Sequence, residues 1–160
     1  MTPFPALLNM LSRGQVDFVL VGGVAAIAHG AARLTQDVDV VYARTEANLE
    51  RLVQAVRPHA PYLRGAPPGL PFDWSVATLR AGLNFTLVTA LGPLDLLGEI
   101  TGGGRYEDIL PHTATLSVFG HDTRVLDLPW LIKVKRAAGR PKDFEVLAEL
   151  EALDEERRLS

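Results

Sequence analysis

The chain has no cysteine, which removes disulfide frameworks, thiol nucleophiles, iron–sulfur clusters and cysteine zinc sites together. Its 4 histidines are scattered, so the metal chemistry open to it is that of a hard cation held by carboxylates. No apolar run approaches the roughly 20 residues needed to cross a bilayer, and the opening Met1-Thr-Pro-Phe-Pro lacks a basic n-region. A soluble, cytoplasmic protein with no membrane contact is therefore expected. Strong charge of one sign is missing too: the net charge is -3, which argues against broad electrostatic capture of nucleic acid but leaves room for a local basic groove. What is present is a globular balance, 48% hydrophobic and 22% charged over 160 residues, which excludes disorder. The length suits one domain spanning residues 1–160, with C-terminal helices at about 128–156.

Leu7, Leu8 and Leu11 stripe a short opening helix that ends before Gly14. Asp17-Phe-Val-Leu-Val is an unbroken apolar run closed by Gly22-Gly23, the pattern of a strand buried on both faces. A small-residue helix over Val24–His29 follows, with Gly30 placed to end it in the left-handed region. Asp37–Tyr42 is the second strand, and Thr45 caps a helix that Pro58 stops. Residues 58–71 hold five prolines and two glycines, a surface excursion long enough to carry function. Asp73 is the expected cap of a helix over 74–81, followed by a hairpin of Asn84–Thr89 and Leu94–Leu97. The loop 101–105 is glycine-rich, 106–110 a helical turn, and Ala114–Phe119 with Thr123–Leu126 a second hairpin. Two helices finish the chain, one from Pro129 to Ala138 and one striped by Phe144, Leu147, Leu150 and Leu153. The pattern is α+β: a mixed β-sheet flanked by helices, with a C-terminal helical pair.

Asp37 and Asp39 stand two apart in a strand, so both carboxylates project from one face at a Cα separation of about 6–7 Å while Val38 and Val40 enter the core. Their repulsion is relieved by a divalent cation, for which magnesium suits an all-oxygen site; the bland reading is the solvated face of an edge strand. Gly22-Gly23 lies between a buried strand and a helix N-terminus, where backbone N–H groups can meet a phosphate or simply form a tight turn. Asp95, inside Pro-Leu-Asp-Leu-Leu, is a charge in an apolar strand that needs a cation, strong hydrogen bonds or an exposed face.

Val21-Gly22-Gly23, thirteen residues, then Asp37-Val38-Asp39-Val40, and later Leu94-Asp95-Leu96, resembles the nucleotidyltransferase superfamily that contains DNA polymerase beta. More narrowly, the run from Gly22 to Asp39, with Lys135-Arg-Ala-Ala-Gly-Arg-Pro-Lys-Asp143, looks like the minimal prokaryotic nucleotidyltransferases related to AbiEii-like toxins. The resemblance implies a nucleotidyltransferase fold, phosphate binding by Gly22 and Gly23, two magnesium ions (or manganese) on Asp37, Asp39 and Asp95, and triphosphate contact by Lys135, with Lys142-Asp143 as a further motif. It implies a nucleoside triphosphate as substrate and an acceptor hydroxyl on an RNA 3′ end, a protein or a small molecule. A toxin role with a cognate antitoxin follows from the same likeness.

The chemistry holds together physically. Carboxylates that bind a divalent cation can lower the pKa of an acceptor hydroxyl, and Asp95 is near enough to take its proton. Attack at the α-phosphorus then expels pyrophosphate, whose charge Lys135 and the Gly22-Gly23 amides neutralise. Arg33 and Thr35 precede the acids; the simpler reading is a solvated arginine and a turn-shaping threonine. His29 at a helix end reads as a partner of the last carbonyls, His112, His121, Trp74 and Trp130 as structural, and the basic run 133–142 as a solvated helix face. Two alternatives compete. A dinucleotide-binding fold shares the strand, glycine turn and helix, but the Gly-x-Gly-x-x-Gly fingerprint is absent and the later chain reads as hairpins instead of βαβ units. A catalytically inactive nucleotidyltransferase-like binding module would have no reason to keep all three acids.

Overall fold

A computed structural model describes residues 3–32, 35 and 37–160. Arg33 lies outside these residues. The chain opens with helix α1 (Phe4–Arg13), which carries Pro5 in a first turn whose N–H groups have no helical partner to lose. Leu7, Leu8 and Leu11 are fully buried along its inner stripe, each contributing about 1.5–3 kcal/mol of burial. Strand β1 (Phe18–Val21) is buried at every position, as its apolar run dictates, and leads without a loop into α2 (Gly22–Ala28). Gly30 takes φ +111° just past the end of α2.

Strand β2 (Val38–Tyr42) leads to α3 (Glu46–Val56), where the Thr45 side chain accepts from Asn48 N. Asn48 is wholly buried, takes the Asp17 N–H, and donates to Asp17 O and Ala43 O, stitching α3 to the ends of β1 and β2. The proline-rich segment after α3 contains a 3-10 turn and a two-residue strand, β3 (Tyr62–Leu63). Helix α4 (Val76–Ala81) is capped by Ser75, which accepts from Thr78 N; Asp73 instead accepts from the Ser75 hydroxyl. The cap thus sits two residues later than the sequence indicates, because the shorter hydroxyl reaches the free amide and the carboxylate orients it.

The remaining elements are β4 (Asn84–Thr89), β5 (Gly92–Leu97), a small hairpin of β6 (Glu99–Ile100) and β7 (Gly104–Arg105), a one-turn helix α5 (Tyr106–Ile109), β8 (Thr113–Val118), β9 (His121–Leu126), α6 (Leu128–Ala138) and α7 (Asp143–Leu159). Seven strands form one mixed sheet in the order β3-β4-β5-β2-β1-β9-β8. Strands β1 and β2 are antiparallel, whereas β2 with β5 and β1 with β9 are parallel. That antiparallel first pair overturns the dinucleotide-binding alternative, whose first two strands must run parallel through a βαβ crossover.

Among the described residues no helix is long and apolar enough to cross a membrane. Strand β4 alternates, with Phe85, Leu87 and Thr89 buried and Asn84, Thr86 and Val88 exposed, so one face of this part of the sheet is open. Helix α7 returns across α2: Arg157 donates to His29 Nδ1 at 2.9 Å and to His29 O at 2.9 Å, while His29 Nε2 donates to Leu126 O of β9 at 2.9 Å. The His29 ring is therefore neutral and buried, and its partners lie on β9 and α7, beyond the helix-end carbonyls that the sequence suggests. Trp74 is buried and donates to Val53 O; Trp130 stacks on His112 with ring centroids 3.9 Å apart.

Candidate active site on the open face of the sheet

The site follows from strand register. Asp39 of β2 pairs with Asp95 of β5, Asp95 with Thr86 of β4, and Asp39 with Val21 of β1. One transverse row, Thr86, Asp95, Asp39, Val21, therefore crosses four strands and ends where α2 begins. The neighbours Val38, Val40, Leu94 and Leu96 are fully buried on the other side, so the alternation that fills the core also presents both acids to the open face. Asp37 precedes β2 and its side chain is 41% exposed. It is a half-buried third carboxylate facing Arg64, outside the strand that the sequence places it in.

Gly22 fits this row closely. Its φ is +70°, and a Cβ there would overlap Asp39 Oδ2 and stand 3.0 Å from Asp39 Cβ and Cγ. A Cβ on Gly23 would come within 2.8 Å of the Thr35 Cβ and Oγ1, so Thr35 lines the outer side of the same turn. The glycine pair is therefore required by close approach to the acids and to Thr35.

Burial raises the Asp39 carboxyl, and a hydrogen bond to Asp95 and the charges of Asp95 and Asp37 raise it further, with Lys135 opposing; it is pushed up to about 8. Asp39 Oδ1 is shielded from solvent and has no hydrogen-bond partner among the described residues. Arg64, just after β3, reaches over β4 into the same space: its Nη2 donates to Asp95 Oδ1 at 2.7 Å and to Leu87 O at 2.7 Å, and its Nη1 stands 3.5 Å from Asp37 Oδ2. Among the described residues no group of three or more His, Asp or Glu stands ready to hold a metal ion, and here a guanidinium lies between two of the acids.

A cleft of about 410 Å³ opens beside Asp39, with Gly22, Asn84, Glu99, Lys135 and Arg140 as its polar lining and Val21, Leu97, Ile100, Leu131 and Val134 as its apolar wall. Helix α6 supplies Lys135. The Lys135 Nζ is 3.3 Å from Asp143 Oδ1, and Arg140 Nε donates to Asp143 Oδ2 at 2.8 Å. Burial pushes the Asp143 carboxyl up, but the Arg140 hydrogen bond and the Lys135 charge outweigh it and hold the group below the ordinary carboxylate range. The basic run is thus mostly engaged: Arg136 bonds Glu151 at 2.5 Å, and Lys133 Nζ lies 4.0 Å from the centre of the Trp130 ring. Of the residues singled out in the sequence, Gly22, Asp39 and Lys135 line one cleft and Asp95 and Asp37 adjoin it. Local pattern singles out neither Arg64 nor Glu99; the proline-rich segment that carries Arg64 is the one signal the sequence offers.

No protein-family model matches the chain, and no curated protein matches it. Solved structures do. The lincosamide antibiotic adenylyltransferase LnuA, with lincomycin bound, superposes with a TM-score of 0.62 at 12% identity, covering 94% of this chain and 96% of the other. The chain has a nucleotidyltransferase fold. The antibiotic-resistance factor ANT(2'')-Ia superposes at 0.57 with 13% identity, covering 98% and 89% of the two chains. A candidate nucleotidyltransferase from Thermotoga maritima superposes at 0.55 with 16% identity over 94% of each chain. Within this nucleotidyltransferase fold, the row from Thr86 to Gly22 is the feature that gathers carboxylates at one end of a cleft.

Proposed function

We propose that the chain transfers a nucleotide from a nucleoside triphosphate to a hydroxyl of a small-molecule acceptor. The observation that carries this reading is the register pairing of Asp39 with Asp95, which puts an acid that has a second acid beside it on the wall of a cleft of about 410 Å³ that Lys135 also lines. The cleft is of a size for ligands of hundreds of daltons. LnuA, which covers nearly this whole chain, is an adenylyltransferase of lincosamide antibiotics, which supports a compact acceptor.

The donor set fits a hard divalent cation: it is all oxygen, and the shielded, unpartnered Asp39 Oδ1 is an acceptor lacking a positive partner. Asp37, Asp39 and Asp95 would hold magnesium, as two ions, or manganese. Bound there, the cation supplies charge neutralisation at the reacting phosphates and acidifies the acceptor hydroxyl.

The chain's own residues do the rest. The acceptor oxygen bonds to the α-phosphorus as the bond from that phosphorus to the β-bridging oxygen breaks, and the hydroxyl proton passes to Asp95. Pyrophosphate leaves with the negative charge that Lys135 and the Gly22 and Gly23 amides face. Lys135 turns from Asp143 to the phosphates, and Arg140 keeps Asp143 paired when it does.

The test is incubation of the protein with each labelled nucleoside triphosphate, magnesium or manganese, and three acceptors in parallel: lincomycin and aminoglycosides, total RNA, and protein. Pyrophosphate release with label on a small molecule is expected, falling by about 10²–10³-fold or more in Asp37→Ala/Asp39→Ala. Label on RNA or protein would replace the small-molecule acceptor with the toxin-type reading and its cognate antitoxin. Nucleotide binding without transfer would favour the inactive module, and absence of binding would refute nucleotidyl transfer altogether.

A further inference from the structure

We infer that Arg64 is the residue that controls cation loading: its guanidinium stands in for the cation between Asp95 and Asp37, and must leave Asp95 before a divalent ion can bind. The inference rests on the proposed nucleotidyl-transfer site and adds to it a residue outside the three acids.

The backbone of Arg64 is fixed, because its N–H donates to Thr86 O at 2.9 Å, continuing the β3–β4 ladder. Only the side chain is free to choose a partner. It spends one Nη on Leu87 O and Asp95 Oδ1, both at 2.7 Å, and the other 3.5 Å from Asp37 Oδ2. A cation held by the three acids would compete with that guanidinium for the Asp95 carboxylate.

Asp39 Oδ1 and Arg64 Nε are shielded and have no partner among the described residues. The guanidinium pose therefore satisfies two acids while leaving the third acid's oxygen and one of its own donors without partners. A divalent cation, if held by these acids, would answer the first deficiency, and release of the arginine toward water would answer the second. In the absence of metal, Arg64 offsets the repulsion among acids brought together by register. Cation binding thus becomes an exchange of one positive group for another. Its apparent affinity is weakened by the fraction of molecules in which Arg64 occupies Asp95.

The experiment is Mn2+ binding to the whole chain, read by the loss of free-ion electron paramagnetic resonance signal, for wild type, Arg64→Gln, Arg64→Ala and Arg64→Lys. Loss of the competing charge-assisted hydrogen bond is expected to tighten Mn2+ binding by roughly 10- to 100-fold in Gln and Ala, with Lys between them and wild type. Thermal melting supplies a second readout: the Arg64→Gln midpoint falls below wild type in chelator, and rises with Mn2+ by more than wild type does. Should the variants fail to fold, the Arg64 Nε–Hε resonance of wild type must shift on Mg2+ titration, with the midpoint of metal binding. Equal Mn2+ affinity in wild type and Arg64→Gln, or an unmoved Arg64 resonance at metal saturation, would overturn the role of Arg64 and leave the site standing. Absence of Mn2+ binding in every form would overturn the site itself and the inference with it.

Discussion

Replacing Gly22 with alanine adds one methyl group at the point where α2 begins against Asp39. Two costs arise there, and they are separable. The left-handed backbone, φ +70°, costs an L-residue about 1–2 kcal/mol. The added Cβ would overlap Asp39 Oδ2 and sit 3.0 Å from Asp39 Cβ and Cγ, and overpacking of that kind costs about 1–3 kcal/mol more. The sum, about 2–5 kcal/mol, corresponds to a loss of about 5–15 °C in melting temperature for a chain of this size. Gly69 is the matched control, with φ +87° and nothing within 4 Å of the added atom. Gly69→Ala therefore carries the backbone cost alone, about 1–2 kcal/mol, and the difference between the two variants isolates the pressure on Asp39. Differential scanning calorimetry of both, with pyrophosphate release measured in parallel, is the assay. Gly22→Ala should also lose most turnover, because the only ways to admit the methyl group are to swing the Asp39 carboxylate or to move the α2 turn. Equal melting losses in the two variants, or full turnover in Gly22→Ala, would refute the claim that this glycine is there to admit Asp39.

Three further outcomes follow from contacts elsewhere. Asp143→Asn should cost about 2–3 kcal/mol in urea unfolding, because a buried carboxylate holding both Lys135 and Arg140 is replaced by a neutral group. Asn48→Ala should cost about 3 kcal/mol in the same assay, roughly 1 kcal/mol for each of its three backbone hydrogen bonds. His29 is held below its ordinary value by burial and by the Arg157 charge, against the hydrogen bond to Leu126 and the charge of Asp127. The unfolded chain therefore binds a proton there first, so this contribution to stability is complete above about pH 6.5 and is lost as pH falls from there through the lower folded value. Melting temperature followed from pH 7.5 to pH 5 should show that fall, and His29→Gln should flatten it.

The parts of this molecule legible in its sequence are those governed by local periodicity. The unbroken run before Gly22 is a strand buried at all four positions, and the stripe of Leu7, Leu8 and Leu11 is a helix face with no solvent exposure. Asp39 and Asp95 could be picked out because a charge in an apolar strand needs a reason. Their pairing could not, since it depends on which strands neighbour each other across a gap of more than fifty residues. Local pattern puts Asp37 at the start of β2, whereas it lies just before that strand, a boundary that such pattern leaves open. Arg64 was invisible for a different cause: its contacts cross β4 to reach another strand, and nothing in a proline-rich stretch records where a long side chain will end. Asp143 belonged to a recognisable motif, but its burial between Lys135 and Arg140 is a property of how α7 meets α6.

The row that joins Thr86, Asp95, Asp39 and Val21 also acts on the assembly of the sheet. Side chains alternate along a strand with a period of two, so sliding β5 by one residue against β2 would turn the Asp95 carboxylate inward among residues such as Val38 and Val40 and push Leu94 and Leu96 toward the open face. Leu94 and Leu96 flank Asp95 at equal spacing, so hydrophobic pattern alone rejects odd slips, while even slips would keep the leucines inside. Even slips instead move Asp95 about 7 Å along the sheet, away from Asp39 and from the arginine that tethers it. The acids and Arg64 therefore discriminate where greasy side chains cannot, and the groups assigned to chemistry also serve as the alignment mark by which distant strands find their correct partners.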